Sequence, residues 1–277
     1  MSVVVVTDSS CCLDREMVER YDIRVVPLHV ISDGRDLREG IDELPEDLSK
    51  VTTSGPAPAE LTDVYARALA DSAGDGVLAV HISRQLSGTW DAARYAADAF
   101  GGRVRLVDSR STAMGLGFAV LAAARSAESG ATLDEAYDRA VEVAAAGRAL
   151  LVVDRLDHLR RGGRIGTATA LLGTALSMKP VLHLADGKLV LREKTRTMSK
   201  ALGKLVDAAV GQCAEVAKVA EPAVAVHHRA APERARELVE VLTRRLPEGT
   251  EPVVSELDAV LGAHVGPGAI GIVVSRN

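Results

Sequence analysis

Aromatic residues are scarce: one Trp, four Tyr and two Phe make up 3% of the 277 residues. Val, Leu, Ile and Ala must therefore fill the core. Cysteines number three, Cys11, Cys12 and Cys213. Neighbouring cysteines seldom pair with each other and an odd count leaves one over, so a disulfide framework is excluded and a reducing, cytoplasmic location is expected. With no Cys-x-x-Cys spacing and only scattered histidines, no metal site is expected. No apolar run approaches the roughly 18 residues of a membrane-spanning helix, so stable membrane insertion is not expected. The start, Met1-Ser2-Val3-Val4-Val5-Val6, carries no positive charge and reads as a first strand rather than a signal peptide. There is no long basic run, and 38 acidic against 33 basic residues give a net charge of −5. Duplex nucleic acid, whose phosphates need a basic face, is excluded as a partner. Neither a Walker A sequence nor a G-x-S-x-G elbow is present.

What is there begins with β-branched runs. Val3 to Val6 is continuous and apolar, the pattern of a strand buried on both faces of a parallel sheet. Further strands are expected at Arg24–Val30, Val77–Ile82 and Val104–Val107, with helical stretches at Asp14–Tyr21, Pro58–Ala70, Ser87–Phe100, Leu116–Ser129 and Leu133–Ala146. Strand and helix alternating at this spacing predict a parallel α/β sheet with flanking helices. The pattern changes beyond Gly147. Leu150–Val153 reads as a strand, Thr167 to about Met178 as a small-residue helix, and Val181–Leu184 with Lys188–Leu191 flank Asp186-Gly187, a two-residue hairpin signal. The fold class is thus two-domain α/β: residues 1–147 form a parallel-sheet domain and 148–277 a smaller mixed α/β domain.

Three polar stretches interrupt this scaffold: Thr52-Thr53-Ser54-Gly55-Pro56, Ser83-Arg84-Gln85-Leu86-Ser87-Gly88-Thr89 and Gly262-Ala263-His264-Val265-Gly266-Pro267-Gly268. They offer hydroxyls, backbone N–H groups and one imidazole, which suit a carboxylate or phosphate. They lack a paired acid and base. Ser87 reads as the N-cap of its helix, and Gly88 beside it lets a ligand approach the unpaired N–H groups of the first turn. The cap and the ligand are both open roles for it. Thr53 and Ser54 serve equally as a hydrogen-bonded turn or as donors, and His264 as a turn residue or as a donor to an anion.

Asp8 stands at a strand's carboxyl end, where α/β sheets place ligands, and is equally apt as a cap. Arg155, Arg160, Arg161 and Arg164 form a basic group suited either to solvent or to an anionic partner. Gly266-Pro267-Gly268-Ala269-Ile270-Gly271 matches the dinucleotide pattern G-x-G-x-x-G in letters only. It precedes a strand rather than a helix and has no acidic residue about 20 positions on.

Laid out in order, these residues are similar to the DegV family of bacterial fatty-acid-binding proteins. The matching segments are Thr7-Asp8-Ser9-Ser10, Thr53-Ser54, Ser83 to Thr89, Val107-Asp108-Ser109, Arg161-Gly162-Gly163-Arg164-Ile165, Lys179-Pro180, Arg192 to Arg196 and Gly262 to Gly268. The resemblance implies a non-enzymatic carrier without cofactor that buries a single long-chain fatty acid, such as palmitate or oleate, in a tunnel between its domains. It implies carboxylate contacts from Thr53, Ser54, Ser87, Gly88, Thr89 and His264. It further implies a separate ATP-dependent kinase subunit that phosphorylates the carboxylate for phospholipid metabolism, docked through basic residues of which Arg161, Arg164 and above all Arg196 are candidates. Two positions depart from the family pattern: Gly55, where a larger polar residue often follows Thr-Ser, and Trp90, where Tyr often follows Ser-Gly-Thr. The alternative is a serine-dependent acyl hydrolase or transferase with Ser87 or Ser9 as nucleophile and His264 or His81 as base. A third reading, an anion-binding regulatory module, needs the donors but no apolar tunnel.

Overall fold

The computed structural model describes residues 3–165 and 178–277. The helix expected from Thr167 lies outside the described residues. The chain forms two compact units, Met1–Leu44 with Thr53–Ala146, and Pro45–Thr52 with Gly147–Asn277.

In the first unit the elements run β1 (Val4–Asp8), α1 (Arg15–Arg20), β2 (Arg24–Val26), β3 (His29–Ser32), β4 (Arg35–Arg38), β5 (Thr52–Ser54), α2 (Pro58–Asp71), β6 (Val77–His81), α3 (Thr89–Ala97), β7 (Val104–Asp108), α4 (Met114–Glu128) and α5 (Leu133–Ala146). The main sheet is parallel throughout, in the order β2-β1-β6-β7. One face packs Val6, Val77 and Ala79 against Leu61 and Tyr65 of α2 and Ala93 and Ala96 of α3. The other is covered by α4, which is apolar around almost its whole circumference and buried accordingly. The strand expected over Arg24–Val30 is broken at Pro27, which has no N–H to give a ladder. Its second half becomes β3, which pairs with β4 through the turn at Asp33-Gly34. The Thr53-Ser54 segment, expected as a loop, is strand β5 of a small sheet ordered β4-β3-β5.

The second unit contains β8 (Arg148–Val152), α6 (Asp157–Arg161), β9 (Lys179–Ala185), β10 (Lys188–Thr195), α7 (Met198–Val216), β11 (Pro222–His228), α8 (Pro232–Thr243), β12 (Val253–Glu256), α9 (Ala259–Val265) and β13 (Ile270–Arg276). Its sheet is mixed, in the order β10-β9-β8-β13-β11-β12. Only the β11–β12 pair is parallel. Asp186 and Gly187, at φ 48° and 80°, form the expected hairpin turn between β9 and β10. Leu205, Ala209 and Cys213 of α7 and Leu238 and Leu242 of α8 pack on Val152, Val226 and Ile272. Gly271 lies within β13, so the G-x-G-x-x-G letters run into a strand and offer no helix terminus to a pyrophosphate. Among the described residues no helix is long and apolar enough to cross a membrane.

Candidate functional site

Strand order in the first unit fixes where a ligand can go. The chain leaves β1 for β2 on one side, while β6 and β7 extend the sheet on the other, so the direction reverses between β1 and β6. Loops at the carboxyl ends of the strands flanking such a point diverge and open a crevice. Those loops carry Asp8-Ser9-Ser10 and Ser83 to Gly88.

Ser87 precedes the helix boundary by one residue. The N-cap of α3 is Gly88 rather than the expected Ser87, although Ser87 Oγ accepts from the Thr89 amide at 3.3 Å. Ser87 Oγ also lies 2.8 Å from Thr89 Oγ1. The first intrahelical bond runs from Ala92 N to Gly88 O, so the Trp90 and Asp91 amides come before it at the positive end of the helix. Ser87 is half-buried, Gly88 exposed and Thr89 fully buried. Residues Thr53 and Ser54 end β5 next to this turn. A Cβ added to Gly55 would lie 2.6 Å from Thr89 Oγ1 and 3.3 Å from Thr89 N, so only glycine lets the strand end approach α3 this closely. The first unit thus gathers Thr53, Ser54, Ser87, Gly88 and Thr89.

The remaining candidates belong to the second unit. His264 lies in α9, and its ring packs on Gly162, where any Cβ would collide with Nδ1. Burial, followed by the charges of Arg164 and Arg161, pulls its pKa down to about 4. His264 is therefore a neutral imidazole at physiological pH, a hydrogen-bond donor and not a counter-charge. Arg161 ends α6 and is exposed, with its guanidinium 3.1 Å from His158 Nδ1, and Arg164 donates to Gly162 O at 2.6 Å. Arg196 follows β10 and is exposed. It lines a cleft of about 470 Å³ together with Lys194, Lys200 and Lys204.

Among the described residues of the first unit, the hydroxyls of both proposed serine nucleophiles bond partners other than histidine. Ser87 Oγ faces Thr89, whereas Ser9 Oγ donates to Glu39 at 2.5 Å and accepts from the Leu28 amide at 3.0 Å. His81 is buried, with Nδ1 3.0 Å from Asp8 Oδ2 and Nε2 2.8 Å from the Tyr65 hydroxyl. Burial, reinforced by the Asp8 charge, pushes the Tyr65 phenol up and keeps it protonated. Asp8 stands out in the sequence by its place at a strand end, whereas its link to Tyr65 through His81 does not. The available signal was the i, i+4 pair Leu61 and Tyr65 on the buried stripe of α2, since a core phenol must find a partner.

A family model described as "Uncharacterised protein, DegV family" matches residues 2–277. A DegV domain-containing protein of Mycobacterium tuberculosis is 48% identical over 276 residues, covering 99% of this chain and 97% of the relative. A solved DegV family protein from Thermus thermophilus, described by its fatty acid binding, is 33% identical with a TM-score of 0.89, covering 100% of both chains. DegV from Bacillus subtilis, described as a fatty acid binding protein, is 31% identical with a TM-score of 0.87, again over 100% of both chains.

Proposed function

As the chain belongs to the DegV family, we propose that it is a fatty acid carrier that binds one long-chain fatty acid, palmitate or oleate being representative. The observation that carries this reading is the full-length likeness to two fatty-acid-binding structures, at 33% and 31% identity. The first unit's geometry supports it. In this proposal the hydroxyls of Thr53, Ser54 and Ser87 and the backbone N–H groups at Gly88 and Thr89, the latter exchanging its long 3.3 Å bond to Ser87 Oγ for the ligand, are donors for a carboxylate at the positive end of α3. The neutral His264 is the further donor in this proposal. Burying an acyl chain gains about 0.8 kcal/mol per methylene, on the order of 10 kcal/mol for a common fatty acid before lost freedom is deducted.

In this reading the protein does no chemistry itself. A separate ATP-dependent kinase transfers the γ-phosphoryl group to a carboxylate oxygen of the bound acid, releasing ADP and leaving an acyl phosphate. The exposed Arg196 and its basic neighbours Lys194, Lys200 and Lys204 suit such a partner, because exposed cations steer association with an acidic surface. Arg161 and Arg164 are secondary candidates for the same role. Arg196→Glu tests this: acyl phosphate formation with a cognate kinase falls while fatty acid content is unchanged. The serine-nucleophile reading is disfavoured by the engagement of His81 with Asp8 and Tyr65 and of Ser9 with Glu39. Assay of the purified protein for acyl ester turnover decides between the two, and the carrier reading expects none.

A further inference from the structure

Behind the Ser87 turn, the carboxyl ends of β1 and β6 hold a buried polar chain that makes no direct part of the cradle. Asp8, His81 and Tyr65 are all fully buried. Asp8 Oδ2 accepts from the Ile82 amide at 2.9 Å and faces His81 Nδ1 at 3.0 Å. Its other oxygen accepts from the Ser10 amide at 3.2 Å and the Ser10 hydroxyl at 2.5 Å. A carboxylate only accepts, so Nδ1 of His81 donates, leaving Nε2 to accept from the Tyr65 hydroxyl 2.8 Å away. In this assignment every donor of the chain meets an acceptor.

The chain of contacts continues into the cradle. Ile82, held by Asp8, is followed by the buried Ser83, around which the next turn is built. Ser83 N donates to Ser111 O at 2.9 Å, and Ser83 Oγ accepts from the Gln85 amide at 3.2 Å. Ser83 O accepts from the Leu86 and Ser87 amides at 2.9 and 3.1 Å. The place of Ser87 is therefore set from Ser83, one residue beyond the amide that Asp8 grips. An apolar trio would fill the same core volume. A fully satisfied buried polar network instead specifies one arrangement of the elements it joins, here β1, β6 and α2.

We propose that Asp8, His81 and Tyr65 are positioning residues that hold the Ser83–Ser87 turn, and with it the Ser87–Thr89 donors, in the geometry that receives an anionic head group. The inference rests on the carboxylate reading of that cradle. It makes Asp8 neither a ligand contact nor a simple cap but the link between the sheet and the binding turn.

Asp8→Asn keeps the size of the side chain but sets an amide NH2 against donors on one side. Fatty acid dissociation constants are expected to rise about tenfold in this variant, and about threefold in Tyr65→Phe, which deletes only the hydroxyl. Two readouts report the turn itself before any ligand is added. Trp90 is the only tryptophan of the chain and the second residue of α3, so its emission reports the start of that helix. The His81 Nδ1–H proton gives a downfield NMR resonance that Asp8→Asn shifts or abolishes. Val143→Ala, a core truncation in α5, is the control: it lowers Tm without moving Trp90 emission or affinity. Wild-type affinity and Trp90 emission in both Asp8→Asn and Tyr65→Phe would overturn the proposal. Should Asp8→Asn fail to fold, Tyr65→Phe decides alone by the same criteria. A wild-type protein with no affinity for fatty acid sinks the carrier reading instead, while Trp90 emission and the His81 resonance still judge the positioning.

Discussion

Gly55 and Thr89 meet so closely that a Cβ on Gly55 would stand 2.6 Å from Thr89 Oγ1. The contact brings the end of β5, with Thr53 and Ser54, against the first turn of α3. Gly55→Ala must therefore push the two apart or rotate the Thr89 hydroxyl, breaking its 2.8 Å contact with Ser87. The expected result is a loss of about 1–2 kcal/mol in fatty acid affinity with a Tm changed by only a few degrees. Titration with a fluorescent fatty acid, alongside thermal unfolding, measures both.

Ser87→Ala removes a hydroxyl and the acceptor of the Thr89 amide. Ser87 is half-buried in a turn, so the fold is retained. A hydrogen bond to a carboxylate contributes about 1.5–3 kcal/mol, and fatty acid retention should fall by about tenfold or more. Lipid content of the purified variant, compared with wild type, checks this. Unchanged content removes Ser87 from the site.

Acid should destabilise the second unit. Burial and the neighbouring His228 pull His227 down to about 4, and His264 is likewise held at about 4 by burial and the two arginines. An unfolded histidine takes up its proton near 6.5, so between roughly pH 6.5 and pH 4 the unfolded chain binds more protons than the folded one. Stability thus falls as pH drops through that window, and the loss is complete below it. The fully buried His227 alone accounts for roughly 2 kcal/mol at about pH 5. Urea denaturation near pH 7 and pH 5 measures the difference, and His227→Asn should shrink it.

All three cysteines are buried and none is in a disulfide. Burial pushes the Cys213 thiol up to about 11, which leaves almost no thiolate at neutral pH. A thiol reagent should modify no cysteine of the folded protein within minutes and all three in denaturant. Rapid labelling of the native chain would contradict the burial of Cys213 on the inner face of α7.

Much of the scaffold was legible because continuous β-branched runs and Ala-rich helical stretches announce buried parallel strands and their covering helices. Local chemistry was harder. Asp33-Gly34 is as good a hairpin signal as Asp186-Gly187, but β4 after it, Arg35–Arg38, is too short and polar to show as a strand. Thr52–Ser54 is too short and polar to declare itself a strand, and it owes that state to β3 beside it. At Ser87 the helix start was expected one residue early, because Gly88 takes the cap position. Asp8, Tyr65 and His81 lie far apart in sequence, and only the packing of α2 on β1 and β6 brings them into one chain of hydrogen bonds.

The central claim is that this protein holds one fatty acid. Organic extraction of the purified protein, followed by mass spectrometry and quantitation against protein concentration, tests it directly. The account predicts close to one long-chain fatty acid per chain, lost in Ser87→Ala. A protein that yields no lipid and also fails to take up added palmitate or oleate would contradict it.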